Sequence, residues 1–304
     1  MKRDLITLAD LGPGGIERLL DDAARFERLR GHADHPRPLT GKSAALLFDK
    51  ASTRTRVSLE VAVVELGGHP IVVAGGSQMA RGESPADTAR TLARYVHVMT
   101  YRTFETSRLV ELARASRVPV LNALTDDAHP MQILADLYTV RAVRGRLSGL
   151  SYAWVGDGNN MARSWIEAAM LLGLELRLAC PEGYDPPQAE IDRACAAGAR
   201  VTLVRDPRAA CEGADVVSTD VWASMGQEAE AARRAAAFAA FRVTRSHVAI
   251  ASPEVVVLHC LPAHRGEEID ADVLDGPRSF VWDEAEARLH TSKAALAWAL
   301  STSP

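Results

Sequence analysis

Short apolar runs of four to six residues alternate along this chain with longer segments whose apolar residues recur at helical spacing. That alternation constrains the fold more than any single residue does. Parallel strands need a crossover between them, the usual crossover is a helix, and helices over both sheet faces leave the strands buried and continuously apolar. The strand runs are Ala44–Phe48, His69–Ala74, Val96–Tyr101 and Val118–Asn122, then Ser151–Val155, Glu175–Ala179, Arg200–Val204, Asp215–Thr219 and Val255–Leu258. Gly145, Gly149 and a basic cluster within Arg141–Leu150 mark a break between two such series. With 304 residues, more than one core is expected. The fold class that follows is α/β, with two doubly wound parallel-sheet α/β domains linked by helices.

The first strand runs into Phe48-Asp49-Lys50-Ala51-Ser52-Thr53-Arg54-Thr55-Arg56, and Val57, Val61 and Val64 then recur at helical spacing. Ser52 stands where an N-cap belongs. Backbone N–H groups, the hydroxyls of Ser52, Thr53 and Thr55, and the cations Lys50, Arg54 and Arg56 would converge on the positive end of a helix dipole. A plain capped surface helix is the alternative, but cations in a first turn oppose the dipole unless an anion answers them. The G-x-x-x-x-G-K-[ST] spacing of a nucleotide loop is missing, so a small phosphorylated molecule fits better than a nucleoside triphosphate.

Net charge is -4, which argues against nucleic-acid binding by a basic face, so the phosphate-seeking cations are local. Cys180, Cys195, Cys211 and Cys260 form no C-x-x-C pair and no zinc-like spacing with histidine. No metal, no redox cofactor and no membrane association are expected, and a reducing cytoplasm suits the chain.

Further along, residues 5–30 read as a helix with Ile16, Leu19, Leu20, Ala23 and Phe26 on one face. His69–Ala74 reads as a second buried strand. Gly75–Pro85 is a polar loop containing Gln78, either a connector or an active-site flap, and Ser84-Pro85 starts a helix. Arg102 stands at a strand's carboxyl end, where open α/β sheets bind ligands. His129 and Gln132 lie at the next helix start; a lone His there is often only a surface residue, but this one shares a strand-end setting with Ser52 and Arg54.

In the second series Gly156-x-Gly158 lacks the third glycine of a dinucleotide fingerprint, having Met161 in its place. Asn159 and Asn160 read instead as ligand hydrogen-bonders. Two more strand ends carry Asp220 to Glu228 and His259-Cys260-Leu261-Pro262, and a terminal helix from Asp283 bears Arg288.

Together these stretches resemble the transcarbamoylase family, in its ornithine branch, over essentially the whole chain. Ser52-Thr53-Arg54-Thr55-Arg56 matches its carbamoyl-phosphate motif, His129-Pro130-Met131-Gln132 its H-P-x-Q motif, Asp220–Gly226 its D-x-x-x-S-M-G motif and His259-Cys260-Leu261-Pro262 its H-C-L-P motif. Met131 fills a variable place where ornithine enzymes often carry Cys. The resemblance implies a carbamoyl-phosphate domain over 1–142, with a terminal helix of about 284–304, and an ornithine domain over 150–283. It implies that Ser52, Thr53, Arg54, Thr55, Arg102, His129, Gln132 and Arg288 hold carbamoyl phosphate, with Gln78 reaching a neighbouring subunit's site. Asn160, Asp220, Ser224 and Met225 would hold ornithine, and Cys260 and Leu261 would line the reacting end, with Arg102, His129 and Cys260 as catalytic groups. It further implies trimers, or multiples of trimers, with shared active sites, and a place in arginine metabolism.

The implied chemistry is attack of the ornithine δ-amine on the carbamoyl carbon, giving citrulline and phosphate without a cofactor. Other amines on the same scaffold are the near alternatives: putrescine, N-acetylornithine or aspartate. An aspartate site would want cations where this chain offers Asp220, Ser224, Met225 and Cys260. A non-catalytic phosphometabolite-binding subunit on the same fold is the alternative from another class.

Overall fold

The computed structural model describes residues 2–75, 79–223 and 230–301. Gln78, Ser224 and Met225 therefore lie outside the described residues. The chain forms two compact units, Met1–Tyr138 with Glu286–Pro304, and Thr139–Ala285.

The first unit is built on β1 (Ser43–Phe48), β2 (His69–Ala74), β3 (Val98–Arg102) and β4 (Val120–Leu124), all parallel, in the order β2-β1-β3-β4. Its helices are α1 (Gly15–Arg28), α2 (Thr53–Glu65), α3 (Pro85–Leu92), α4 (Thr106–Ala115), the first part of α5 (Pro130–Arg144) and most of a C-terminal helix, Val281–Leu300. The second unit carries β5 (Ser151–Val155), β6 (Glu175–Ala179), β7 (Arg200–Val204), β8 (Val216–Thr219) and β9 (Val256–His259), parallel in the order β7-β6-β5-β8-β9, with α6 (Asn160–Leu172) after β5.

In each sheet the first strand lies inside and the chain winds outward on both sides of it. The strand order thus reverses between β1 and β3, and again between β5 and β8. At such a reversal the two following connections leave for opposite faces, and a crevice opens at the strands' carboxyl ends. The residues placed there are Asp49–Ser52 and Arg102 in one unit, Gly156–Asn159 and Asp220 in the other.

Three local features differ from the sequence expectations. The stretch before α1 is not helical at residue 5: Leu5 bridges to Leu121, its N–H donating to Val120 O at 2.9 Å, and the helix begins only beyond Gly12 and Gly14, both at positive φ. Next, β2 is an edge strand rather than a buried one, which is where Pro70, with no N–H to give, is tolerated. Finally, α2 buries Thr55, Leu59, Ala62 and Val63, while Val57 and Val64 are more than half exposed (52% and 58%). The valine spacing is helical, yet the helix turns its other side to the sheet.

The core of the first unit includes Leu47, Met99, Tyr101, Leu109 and Leu112, and that of the second includes Val155, Val217, Trp222, Phe238 and Val257. Each such side chain contributes roughly 1.5–3 kcal/mol on burial. Gly158 shows why the partial glycine fingerprint is structural. A Cβ there would lie 2.2 Å from the Pro186 nitrogen and 2.4 Å from the Asp185 carbonyl carbon, so the backbone of that loop fills the space beside the turn.

Candidate active site

In the first unit the turn after β1 is shaped by its own side chains. Ser52 is extended and its hydroxyl accepts from the Thr55 N–H at 3.3 Å, capping the 13-residue α2. Thr53 and Arg54 stay exposed beside the helix N-terminus. Of the three cations expected to converge here, two are already engaged. The Lys50 ammonium is buried, ion-paired with Asp126, and lies 4.3 Å from the centre of the Phe104 ring. Arg56 pairs with Glu60 at 2.7 Å, one helical turn on. Arg54 makes no ion pair with a described residue and is the cation left to meet an anion.

Behind the turn, Arg288 of the C-terminal helix is 5% exposed and donates to the Thr55 hydroxyl at 2.9 Å and to the Gln132 side-chain carbonyl. Gln132 in turn donates to Asp136 at 2.8 Å. One guanidinium thereby fastens the first turns of α2 and α5 together, so Thr55, Gln132 and Arg288 form a single buried polar group.

His129, just before α5, is 5% exposed. Burial first, then the Arg288 and Arg102 charges, hold its pKa well below the ordinary imidazole value, so the ring is neutral at pH 7. Arg102 is half-buried at the end of β3.

The sign of the His129 shift fixes a stability test. The folded state refuses a proton that the unfolded state accepts below the ordinary value of 6.5, so stability is present above that pH and falls as pH drops through it. His129→Asn should make the dependence of the urea midpoint on pH shallower between about pH 7 and 5. The wild type is the reference, since His35, His247 and His290 are depressed too. Parallel profiles for the two proteins would contradict it.

A residue the motifs did not single out supports the same turn. Asp49 accepts from the Tyr101 hydroxyl and from Thr103 at 2.7 Å, with Arg108 at 3.8 Å. It ties the end of β1 to the end of β3.

In the second unit Asp220, 8% exposed, follows β8. The Cys260 thiol donates to its Oδ1 at 3.0 Å, the Val221 N–H to the same oxygen at 2.8 Å, and the Asn159 amide to its Oδ2 at 3.1 Å. These donors are all neutral. The carboxylate is held in place but its charge is not cancelled by them, an arrangement suited to receiving an ammonium group.

Asn159 is fixed by a second duty, its carbonyl oxygen accepting from the Met161 and Ala162 N–H groups at 2.9 and 3.3 Å to cap α6. The resemblance had pointed to the adjacent Asn160, which is the first residue of α6 and half-buried. Asn159, read from the sequence with Asn160 as a ligand hydrogen-bonder, thus spends its amide on Asp220 and its side-chain oxygen on the α6 cap.

Leu261 sits at φ +57°, a left-handed conformation that costs a non-glycine residue roughly 1–2 kcal/mol. It is imposed from His259, whose Nδ1 accepts from the Leu261 N–H at 2.9 Å. That bond leaves Nε2–H to donate to the buried Glu268 at 3.0 Å. The Cys260 turn is therefore braced by a histidine rather than by glycine.

Asp157 and Arg234 form a buried ion pair at 2.7 Å in the same unit. Arg234 also donates to the Trp222 carbonyl at 2.9 Å and pairs with Glu230 at 3.2 Å.

Known proteins match nearly the whole chain. Residues 3–142 match the family model described as aspartate/ornithine carbamoyltransferase, carbamoyl-P binding domain, and residues 148–299 match its Asp/Orn binding domain. The chain is 52% identical to an ornithine carbamoyltransferase of Acidothermus cellulolyticus, over 99% of this chain and 97% of that one. It is 49% identical to another from Rhizorhabdus wittichii, over 99% of both. Among solved structures, the ornithine carbamoyltransferase of Pyrococcus furiosus superimposes with a TM-score of 0.92 at 45% identity, covering 97% of this chain and 96% of that one.

Proposed function

The chain belongs to the aspartate/ornithine carbamoyltransferase family, and from that premise we propose that it is an enzyme transferring the carbamoyl group of carbamoyl phosphate to the δ-amine of L-ornithine. The products are L-citrulline and phosphate, within arginine metabolism. The observation that carries the choice of amine is Asp220, a buried carboxylate whose donors among the described residues, Cys260, Val221 and Asn159, are all neutral. It suits a substrate bearing an ammonium group. An aspartate substrate would bring a second carboxylate needing a cation, whereas the buried Arg234 is already committed to Asp157 and Glu230.

Ser52, Thr53, Arg54 and the α2 N-terminus bind the phosphate, with the helix dipole and Arg54 taking up charge as it leaves. Thr55, Gln132 and Arg288 hold the turn behind it and complete the carbamoyl-phosphate set. Arg102, the neutral His129 and Thr55 polarise the carbamoyl oxygen. As the δ-nitrogen lone pair attacks the carbamoyl carbon, a C–N bond forms, negative charge grows on that oxygen, the C–O bond to phosphate breaks, and the δ-nitrogen gives up a proton that the departing phosphate can accept. The amine must arrive unprotonated, because an ordinary alkylamine with a pKa near about 10.4 is almost wholly an ammonium at pH 7. Asn160, Asp220, Ser224 and Met225 hold the amino acid, while Cys260 and Leu261 line the reacting end.

Incubating the protein with carbamoyl phosphate and each of ornithine, putrescine, N-acetylornithine and aspartate tests the reading. Citrulline from ornithine, detected colourimetrically, should dominate. Faster carbamoylation of another amine would reassign the substrate, and none at all would leave a binding protein.

The family resemblance also supports a homotrimer, or a multiple of trimers, in which Gln78 completes a neighbour's site. Arg54→Ala and Gln78→Ala proteins should each be impaired, yet unfolding them together in equal amounts and refolding should restore about a quarter of the sites in a closed ring. Activity fixed at the mean of the two parents would place Gln78 within its own subunit or outside the site. No helix among the described residues is long and apolar enough to cross a membrane, which accords with the cytoplasmic placement we propose.

A further inference from the structure

The C-terminal helix carries Glu286 and His290 one turn apart, so both side chains lie on one face. Glu27, from the last turn of α1, meets them there. One potential ligand atom from each of the three residues lies within 4.8 Å of the other two. His290 Nε2 is 3.5 Å from a Glu286 carboxylate oxygen. His290 is wholly buried, and among the described residues neither ring nitrogen has a hydrogen bond of good geometry. Buried imidazoles are ordinarily satisfied, whereas this ring stands beside two carboxylates with only the long 3.5 Å approach of Nε2 to Glu286.

We propose that Glu27, Glu286 and His290 form a binding site for a divalent transition-metal ion of the zinc class. Two carboxylates and one neutral imidazole cancel the charge of such an ion and supply three of four tetrahedral positions, leaving the fourth for water. Tetrahedral bonds of about 2.0–2.1 Å set ligand atoms roughly 3.4 Å apart, so the cluster has only to contract. The two glutamates are exposed and can make that movement, and the ion enters between them.

Their surroundings are compatible with this role. The Tyr138 hydroxyl donates to one Glu27 oxygen, orienting that carboxylate from behind. Arg30 lies 3.6 Å from Glu286 but also pairs with Glu65 at 3.1 Å, so it has another partner when a cation arrives. The trio Asp220, His259 and Cys260 also clusters, but there both His259 nitrogens are already used. An ion between Glu286 and His290 would pin the turn that presents Arg288 to Thr55 and Gln132, giving the metal a means of acting on the phosphate turn without touching it.

The test uses the full-length protein stripped of metal by chelator and titrated with Co2+, followed by Zn2+ competition. Saturable binding of one Co2+ per chain is expected, with visible ligand-field bands and without the thiolate charge-transfer band that Cys260 would produce. Glu27→Gln and Glu286→Gln, both at exposed positions, should each weaken binding at least about tenfold while leaving metal-free melting unchanged. Zn2+ should raise the melting temperature of the wild type and not of either variant. Absence of saturable binding, a thiolate band, or loss of affinity in only one or neither variant overturns the site.

Discussion

Arg54→Ala is expected to lower kcat/KM by about 30- to 1,000-fold, on the order of 2–4 kcal/mol of transition-state stabilisation, with the urea midpoint unchanged. The effect is large because the other two cations of the turn are already engaged. Lys50 is buried against Asp126 and Arg56 is paired with Glu60, so removing Arg54 removes the available cation at the α2 N-terminus. The stability is spared because the side chain is exposed and holds no ion pair with a described residue. Steady-state kinetics beside a denaturation curve separates the two readings. A near-normal kcat/KM would show that the phosphate binds elsewhere.

Arg234→Met should cost about 3–5 kcal/mol of stability at pH 7, since it strands the buried Asp157 charge and orphans the Trp222 carbonyl. Burial already raises the Asp157 pKa against the opposing pull of Arg234, and losing that pull raises it further. A carboxyl whose folded pKa lies above its unfolded value binds protons more readily when folded, so the stability gap between variant and wild type should narrow as pH falls toward the ordinary carboxylate range. Asp157→Asn in the same background should recover much of the loss. Denaturation at several pH values measures both effects. A single variant within about 1 kcal/mol of wild type, or a gap to wild type that widens on mild acidification, would mean the pair is not what holds this region.

What the sequence disclosed was governed by distance along the chain. The Ser52 cap and the Ser84 cap are bonds spanning three residues, and local spacing reveals them. Strand runs were legible for the same reason, because each buried parallel strand needs its own apolar stretch. The orientation of α2 was not, since Val57 and Leu59 are equally apolar and only the sheet decides which faces it. Nor could spacing show that Lys50 would be taken by Asp126, or that Asp157 would meet Arg234, because those partners are brought together by topology. Family resemblance placed Arg288 in the phosphate set, but its bonds to Thr55 and Gln132 required the fold.

Thr55 and Gln132 belong to the first half of the chain and Arg288 to its last helix, a separation that matters during synthesis. The second unit, Thr139–Ala285, is one uninterrupted stretch and can pack as soon as it has left the ribosome. The first unit has no such independence: its opening residues emerge early but lack Glu286 onward, and with it the guanidinium that fastens α2 to α5 and the buried Lys293 that pairs with Glu65. The unit made first is therefore finished last. The phosphate turn takes its final form only after the unit proposed to bind the amino acid has been completely translated, so a nascent chain halted between the two stages carries its phosphate motif without the braces that shape it.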